Sequence, residues 1–374
     1  MRCRTRFIEM LLLSSLLVAP AAPALAQRAY VTDSTGDTVT VIDTAASPPA
    51  VIGSPITVGT HPLLIAVTPD GSTLYVTNFG GNSVSVVDVR PATPKIVTTI
   101  PVDHTPAGIA VSPDGTRAYV TYGTTFAVID ATAKPPAIVT SATVGTGEIA
   151  ISPDGTTAYV AQFGAGTVTS IDLTTTPPTV STSPVSVGSE PIGIAISPDS
   201  SRLYVVNANG TASGTVSVLD ATVTPPAVIR TITLGTIGPS EIAVARDGNT
   251  VYTGGNAFNV VDVAVNPPTV SAVTVGSGPE GIAVTPDGAA IYVANLVGKS
   301  VSVVDAATNA VTQTITVPGE PYGIAIGAIP PPPPPPPEDS AALATPTLGM
   351  PALALLALML LAAAALARRE RRSR

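Results

Sequence analysis

Residues 65–78 read Ile65-Ala66-Val67-Thr68-Pro69-Asp70-Gly71-Ser72-Thr73-Leu74-Tyr75-Val76-Thr77-Asn78, and residues 83–88 read Ser83-Val84-Ser85-Val86-Val87-Asp88. Short β-branched runs separated by turn residues specify consecutive antiparallel strands, because Pro, Asp and Gly supply the dihedrals of a tight turn and Val, Ile and Thr suit a pleated surface. A fourth run, residues 96–102, closes the unit. The unit then repeats. Its tyrosine recurs at Tyr30, Tyr75, Tyr119, Tyr159, Tyr204, Tyr252 and Tyr292, in steps of 45, 44, 40, 45, 48 and 40 residues. The strand that follows ends on Asp43, Asp88, Asp130, Asp172, Asp220, Asp262 and Asp305.

Four strands per 40–48 residues describe the blade of a β-propeller. One such sheet cannot bury both its faces, and packing neighbours around an axis covers them while closure leaves only short edges. The first copy lacks its Ile-Ala-Val strand, and Gly323-Ile324-Ala325-Ile326-Gly327 supplies a spare one after the last copy. The predicted fold is all-β: a seven-bladed β-propeller closed by the C-terminal strand joining the N-terminal blade, followed by a Pro-rich linker and one C-terminal transmembrane helix.

Tyr75-Val76-Thr77-Asn78 with residues 83–88, and Tyr292-Val293-Ala294-Asn295 with residues 300–305, resemble the YVTN β-propeller repeats of prokaryotic surface and secreted proteins. The resemblance runs in phase across residues 30–327. Its Asn position is loose, being Asp33, Tyr122, Gln162 and Gly255 in other copies. It implies a propeller in an extracytoplasmic setting and carries over no catalytic residue.

Both ends read as targeting segments. Arg2, Arg4 and Arg6 precede an apolar run at residues 10–20, and Ala24-Leu25-Ala26 fits a small-residue cleavage site. Residues 1–26 are therefore a predicted signal peptide, cut between Ala26 and Gln27, and Cys3, the one cysteine, leaves with it. Residues 27–329 form the propeller. Residues 330–345 are a linker whose eight consecutive prolines make a polyproline II rod of roughly 25 Å. Residues 346–374 hold 18 uncharged residues, 350–367, and then five arginines, which predicts one membrane helix with its basic end in the cytoplasm. Pro346-Thr347-Leu348 resembles the IPTL-type C-terminal sorting signal of Gram-negative surface proteins, although Thr345 stands where Ile is usual and no Ser-Glu-Trp follows. That resemblance implies an exosortase-like processing enzyme as a partner, with permanent anchoring by the same helix as the alternative. The predicted location is the cell surface or the periplasmic side of the membrane.

The composition excludes several classes. A net charge of -8 and a pI near 4.7 oppose nucleic-acid binding. One cysteine and no tryptophan oppose a disulfide scaffold, a cysteine zinc module, a haem attachment site and an electron-transfer propeller. Residues 27–329 contain nine basic and 21 acidic side chains, so the folded part alone carries -12. No cofactor is called for. Gly276-Ser277-Gly278-Pro279-Glu280-Gly281 fits a dinucleotide-loop pattern, but it joins two predicted strands and opens no helix.

Lettering the strands A to D from the axis outwards places the Asp-Gly turns (A–B) and the Pro-Pro pairs (C–D) on one repetitive face. The irregular B–C loops and the D–A crossings fall on the other, where binding residues are expected. The crossings carry His61, His104, Glu148, Glu190, Glu241, Glu280 and Glu320. These seven are the candidate ligand-binding funnel, with no catalytic residue and no metal ligand assigned. The strand-end aspartates, present in every copy, read as blade-locking hydrogen bonds rather than chemistry. Two functions stay open. The favoured one is a non-catalytic, surface-displayed propeller scaffold that binds a protein or extracellular ligand through the crossing face. The alternative is an extracytoplasmic propeller enzyme, a lactonase-like or metal-assisted hydrolase, with its site at the channel mouth.

Overall fold

A computed structural model describes residues 27–328, and those residues are all strand and turn. Apart from Gln27 itself, the signal cleavage site, the proline spacer, the sorting motif and the C-terminal helix lie outside the described residues. The strands form seven separate sheets, each with strands A to D in order from the axis outwards. Blade 2 is typical: A is Pro62–Val67, B is Thr73–Asn78, C is Ser83–Asp88 and D is Lys95–Pro101. Blade 4 departs most, its outer strand being broken into Thr179–Val180 and Val185–Ser186. The fold is a seven-bladed β-propeller, as the repeat predicts.

The ring closes as its unequal ends require. The last strand, Pro321–Ala328, pairs antiparallel with Gln27–Asp33 and becomes strand A of blade 1, with Tyr30 opposite Ala325 and Gln27 opposite Ala328. Asp33 pins this seam: its Oδ1 accepts the Glu320 amide at 2.9 Å and the Gly36 amide at 3.0 Å. Thr32 Oγ1 accepts the Gly323 amide at 2.8 Å.

There is no single core. Alternate residues of each strand face opposite neighbours, so apolar side chains collect in seven layers, one per blade interface. The layer of blades 7 and 1 joins Tyr292 and Val301 to Ala29 and Ile324, so the closing seam is packed like the others. Full burial of one such side chain contributes about 1.5–3 kcal/mol, and each layer holds several. The repeat tyrosines sit inside these layers. Tyr204 is fully buried and its hydroxyl donates to the Gly248 carbonyl in the next blade's A–B turn at 2.8 Å. Every interface is made within residues 27–328, so this segment is a complete folding unit.

The repeat asparagine has a local task. Asn78 Oδ1 accepts the Gly59 amide of the incoming crossing at 3.0 Å, while its Nδ2 donates to Ser83 and Ser85 at 2.9 Å. Asn207 repeats the contact with Gly188 at 3.1 Å. The strand-end aspartates differ from expectation. They cap their own C–D turns, as where Asp220 Oδ1 accepts the Thr222 amide at 2.9 Å, and do not tie one blade to the next. The reason is reach, since a short carboxylate two residues from a free amide closes a local turn first.

Candidate functional site

The seven funnel residues do not act as one group. Glu148, Glu241 and Glu280 lie within innermost strands rather than in the crossings: in Gly147–Ile151 of blade 4, Pro239–Val244 of blade 6 and Pro279–Val284 of blade 7. Innermost strands line the channel, and these three glutamates stand near its crossing-face mouth. The other four point elsewhere. Exposed His61 sets its ring at a tilt to that of Phe79, 6.0 Å between centroids, and exposed His104 packs over Gly123. Glu190 turns outward, its Oε2 accepting the Gly210 amide at 2.9 Å. Glu320 Oε1 lies 4.0 Å from Lys299 Nζ. Among the described residues, no group of three or more His, Cys, Asp or Glu side chains is placed to hold a metal ion.

The convergence rests on one strand position. The residue before the inner-strand isoleucine is Gly108, Gly193, Gly281 and Gly323 in blades 3, 5, 7 and 1, but Glu148 and Glu241 in blades 4 and 6. Glycine there lets inner strands crowd the axis: a Cβ on Gly281 would meet the Tyr322 carbonyl, and one on Gly323 the Leu63 carbonyl. Glu148 reaches over blade 5, where its Oε2 accepts the Ile194 amide at 3.0 Å. Its carboxyl then faces that of Glu241, and the two share a hydrogen bond.

Electrostatics follow from this placement. All three glutamate side chains are half-buried. Burial pushes Glu148 well above the usual carboxylate range, and the neighbouring Glu241 charge adds to the rise. Burial also pushes Glu241 up to about 7, against the hydrogen bond that it accepts from Glu148. Two carboxyls in contact cannot both ionise cheaply, so they share a proton. Burial raises Glu280 as well, with the Ser240 hydroxyl close enough to oppose the rise though not to form a full hydrogen bond.

Tyr322, on the closing strand, completes the cluster. It follows Pro321 as Glu280 follows Pro279, so both occupy the same inner-strand position in adjacent blades. Its phenol is pushed far up by burial first, and then by Glu241, Glu280 and Glu148. It is a proton-bearing donor at any ordinary pH. Tyr322 and Ser240 were not among the residues expected from sequence; aligning the copies on the inner-strand Ile would have found them.

Comparison with known proteins bears on the fold. No family model matches the chain, and no curated protein matches it in sequence. Solved structures do match. The periplasmic gluconolactonase of Pseudomonas aeruginosa superposes with a TM-score of 0.66 at 18% identity, covering 82% of this chain and 100% of that one. A Bacteroides uniformis protein, provisionally assigned as a 6-phosphogluconolactonase, gives 0.67 at 17% identity over 80% and 99%. Hydrazine synthase of Kuenenia stuttgartiensis gives 0.63 at 22% identity over 70% and 88%. These likenesses share one architecture with this chain. That architecture serves unrelated chemistries, so function has to be argued from the site.

Proposed function

We propose that this chain is an extracytoplasmic hydrolase of uncharged lactones or esters, working at the crossing-face mouth of the propeller. The observation that carries the reading is the inner-strand cluster of Glu148, Glu241 and Tyr322, in which Glu148 Oε2 is held on the Ile194 amide at 3.0 Å and burial raises both carboxyls, Glu241 to about 7. A base poised near neutral pH beside an acid that keeps its proton is the pairing that hydrolysis needs. Glu241 takes a proton from water as the water oxygen bonds to the carbonyl carbon. The Tyr322 hydroxyl donates to the developing oxyanion. The carbon–oxygen bond of the leaving alkoxide then breaks, Glu148 supplies that oxygen's proton, and Glu241 returns its own to Glu148. Likeness in fold to lactone-hydrolysing propellers supports this reading.

The charges at the mouth favour an uncharged substrate. Of the nine basic residues in 27–328, only Lys299 lies on the crossing face, and it faces Glu320. The export signal, proline spacer and C-terminal helix belong to the same proposal, which displays the enzyme outside the cytoplasmic membrane, held or processed by an exosortase-like enzyme. The test is a pH-stat assay of residues 27–329 with glucono-δ-lactone and simple γ-lactones. Turnover above spontaneous opening is expected, lost in Glu241→Gln. Absence of turnover with every lactone and ester tried would overturn the proposal and leave a non-catalytic binding scaffold.

A further inference from the structure

A second cavity, far from the channel, lies in the outer wall between blades 1 and 2. It encloses about 490 Å³, within the range of small-molecule sites. Its walls are largely apolar, with Val41, Ile52 and Ile56 from blade 1 and Pro94 and Ile96 from blade 2. Val41 and Ile56 are buried, whereas Ile96 remains 43% exposed. The cavity is built by a departure from the repeat. Strands C and D of blade 1 pair Val41 with Ile52 and Val39 with Ile56, so Gly53-Ser54-Pro55 stand opposite Thr40 alone. That is two extra residues, as at residues 234–236 of blade 5, where the outer strands of blades 2, 3 and 7 bulge by one. The bulge throws strand D outward, and nothing lies within 4 Å of where a Cβ on Gly53 would stand.

Arg28 provides the polar end of this cavity. Its Nε is buried and has no hydrogen-bond partner, and the fully buried Tyr30 hydroxyl beside it has none either. Asp43 stands opposite Arg28 in the strand register, but its carboxylate accepts the Ala45 and Ala46 amides at 2.9 and 3.2 Å and makes no ion pair with Arg28. Asp88, at the base of the loop that carries Pro94, is already paired with Arg90 at 2.7 Å. The cationic Arg28 guanidinium, unpaired at Nε, lines the cavity, whereas Tyr30 is fully buried and is not part of its wall. A buried unpaired donor is costly, and a carboxylate is the natural acceptor for a guanidinium.

We propose that the groove between blades 1 and 2 binds a monocarboxylate with an apolar body of medium-chain acyl size, its carboxylate on Arg28 and its chain along Ile52, Ile56 and Ile96. This site is independent of the channel and of the hydrolase reading. The probe is sodium octanoate, titrated calorimetrically into residues 27–329, with octan-1-ol and octylamine as controls of equal length. Octanoate is expected to bind at least tenfold more tightly than either control, and Arg28→Met to weaken it at least tenfold. Ile96→Glu changes an exposed side chain and leaves the fold intact, so it serves if Arg28→Met fails to fold; it too should weaken octanoate at least tenfold. Lactone turnover should be unchanged in Ile96→Glu. Octanol binding as well as octanoate, equal octanoate affinity in wild type and Ile96→Glu, or no octanoate binding at millimolar concentration would each overturn the proposal.

Discussion

Asp199, in the A–B turn of blade 5, and Glu241, in the inner strand of blade 6, carry the same functional group in opposite surroundings. The Ser197 hydroxyl, helped by the backbone and side chain of Ser201, holds the Asp199 carboxyl down to about 2. Burial pushes Glu241 up to about 7. The difference repeats across the molecule. Asp114 and Asp154 are held down first by the hydroxyls of Ser112 and Ser152. Glu148 and Glu280 are pushed up first by burial. The turn carboxylates are donor-rich and wet, and their ionised form is part of the turn. The channel carboxyls have few donors and little water, so they keep their protons and can trade them. The comparison teaches that the acidic charge of this domain has two separate tasks, divided between its two faces.

The harshest way to break the comparison is to delete residues 321–328, which removes Tyr322 from the channel and strand A from blade 1. Calorimetry should then show no cooperative transition or a fall in Tm of more than about 10 °C, since a whole packed layer is lost. Ending the chain at 329 should leave Tm unchanged. Equal melting of the two truncations would sink the closure argument. Next in size is Glu241→Gln, expected to lower lactone turnover by about 100-fold or more while the fold survives. In the wild type, kcat/KM should rise with pH through about 7, because the base works only when ionised.

The third test concerns stability. Folded Glu241 keeps its proton to about 7, whereas an unperturbed glutamate loses it near 4.5. The folded state therefore binds more protons between these values, so stability should fall as pH rises through that window. Glu241→Gln should flatten that slope in Tm measured from pH 4 to 8; an unchanged slope would separate Glu241 from it. The turn aspartates act in the other direction. Asp199 stabilises above the ordinary value of 3.8, and that contribution is lost as pH falls towards 2. Smallest is Asp199→Ala at neutral pH, where losing one exposed turn cap should lower Tm by only about 2–4 °C.

Much of this was legible in the sequence. The recurring tyrosine, the Asp-Gly turns and the spare strand at residues 323–327 determine the blade count, the assignment of faces and the closure, because each depends on local patterning. The site was legible only in part. The crossing face could be assigned, and it does carry the glutamates. Which of them converge depends on side-chain reach across a neighbouring blade, which spacing does not encode. Glu148 and Glu241 come together across blade 5, and the informative signal was two glutamates standing at a position that is glycine in four copies. His61 and His104 drew attention as rare residues, yet His61 lies beside Phe79 and His104 beside Gly123, and neither joins the glutamate cluster. The bulge at Gly53 was invisible for a simpler reason: extra residues in an outer strand look like ordinary variation in repeat length.

Blade 1 also sets a schedule. Its strands A and B come from opposite ends of the ring, and Thr32 and Gly323 in the seam are 291 positions apart. As the chain is made, its first strand has no inner partner until nearly the whole ring has followed it. Six blades can form in order of arrival, while blade 1 waits with an open edge that invites pairing with another chain. The same late strand brings Tyr322, so the channel acquires its last wall only at closure. A partly made ring is thus unfinished at both its seam and its channel, and completion of both is timed by the arrival of a single strand.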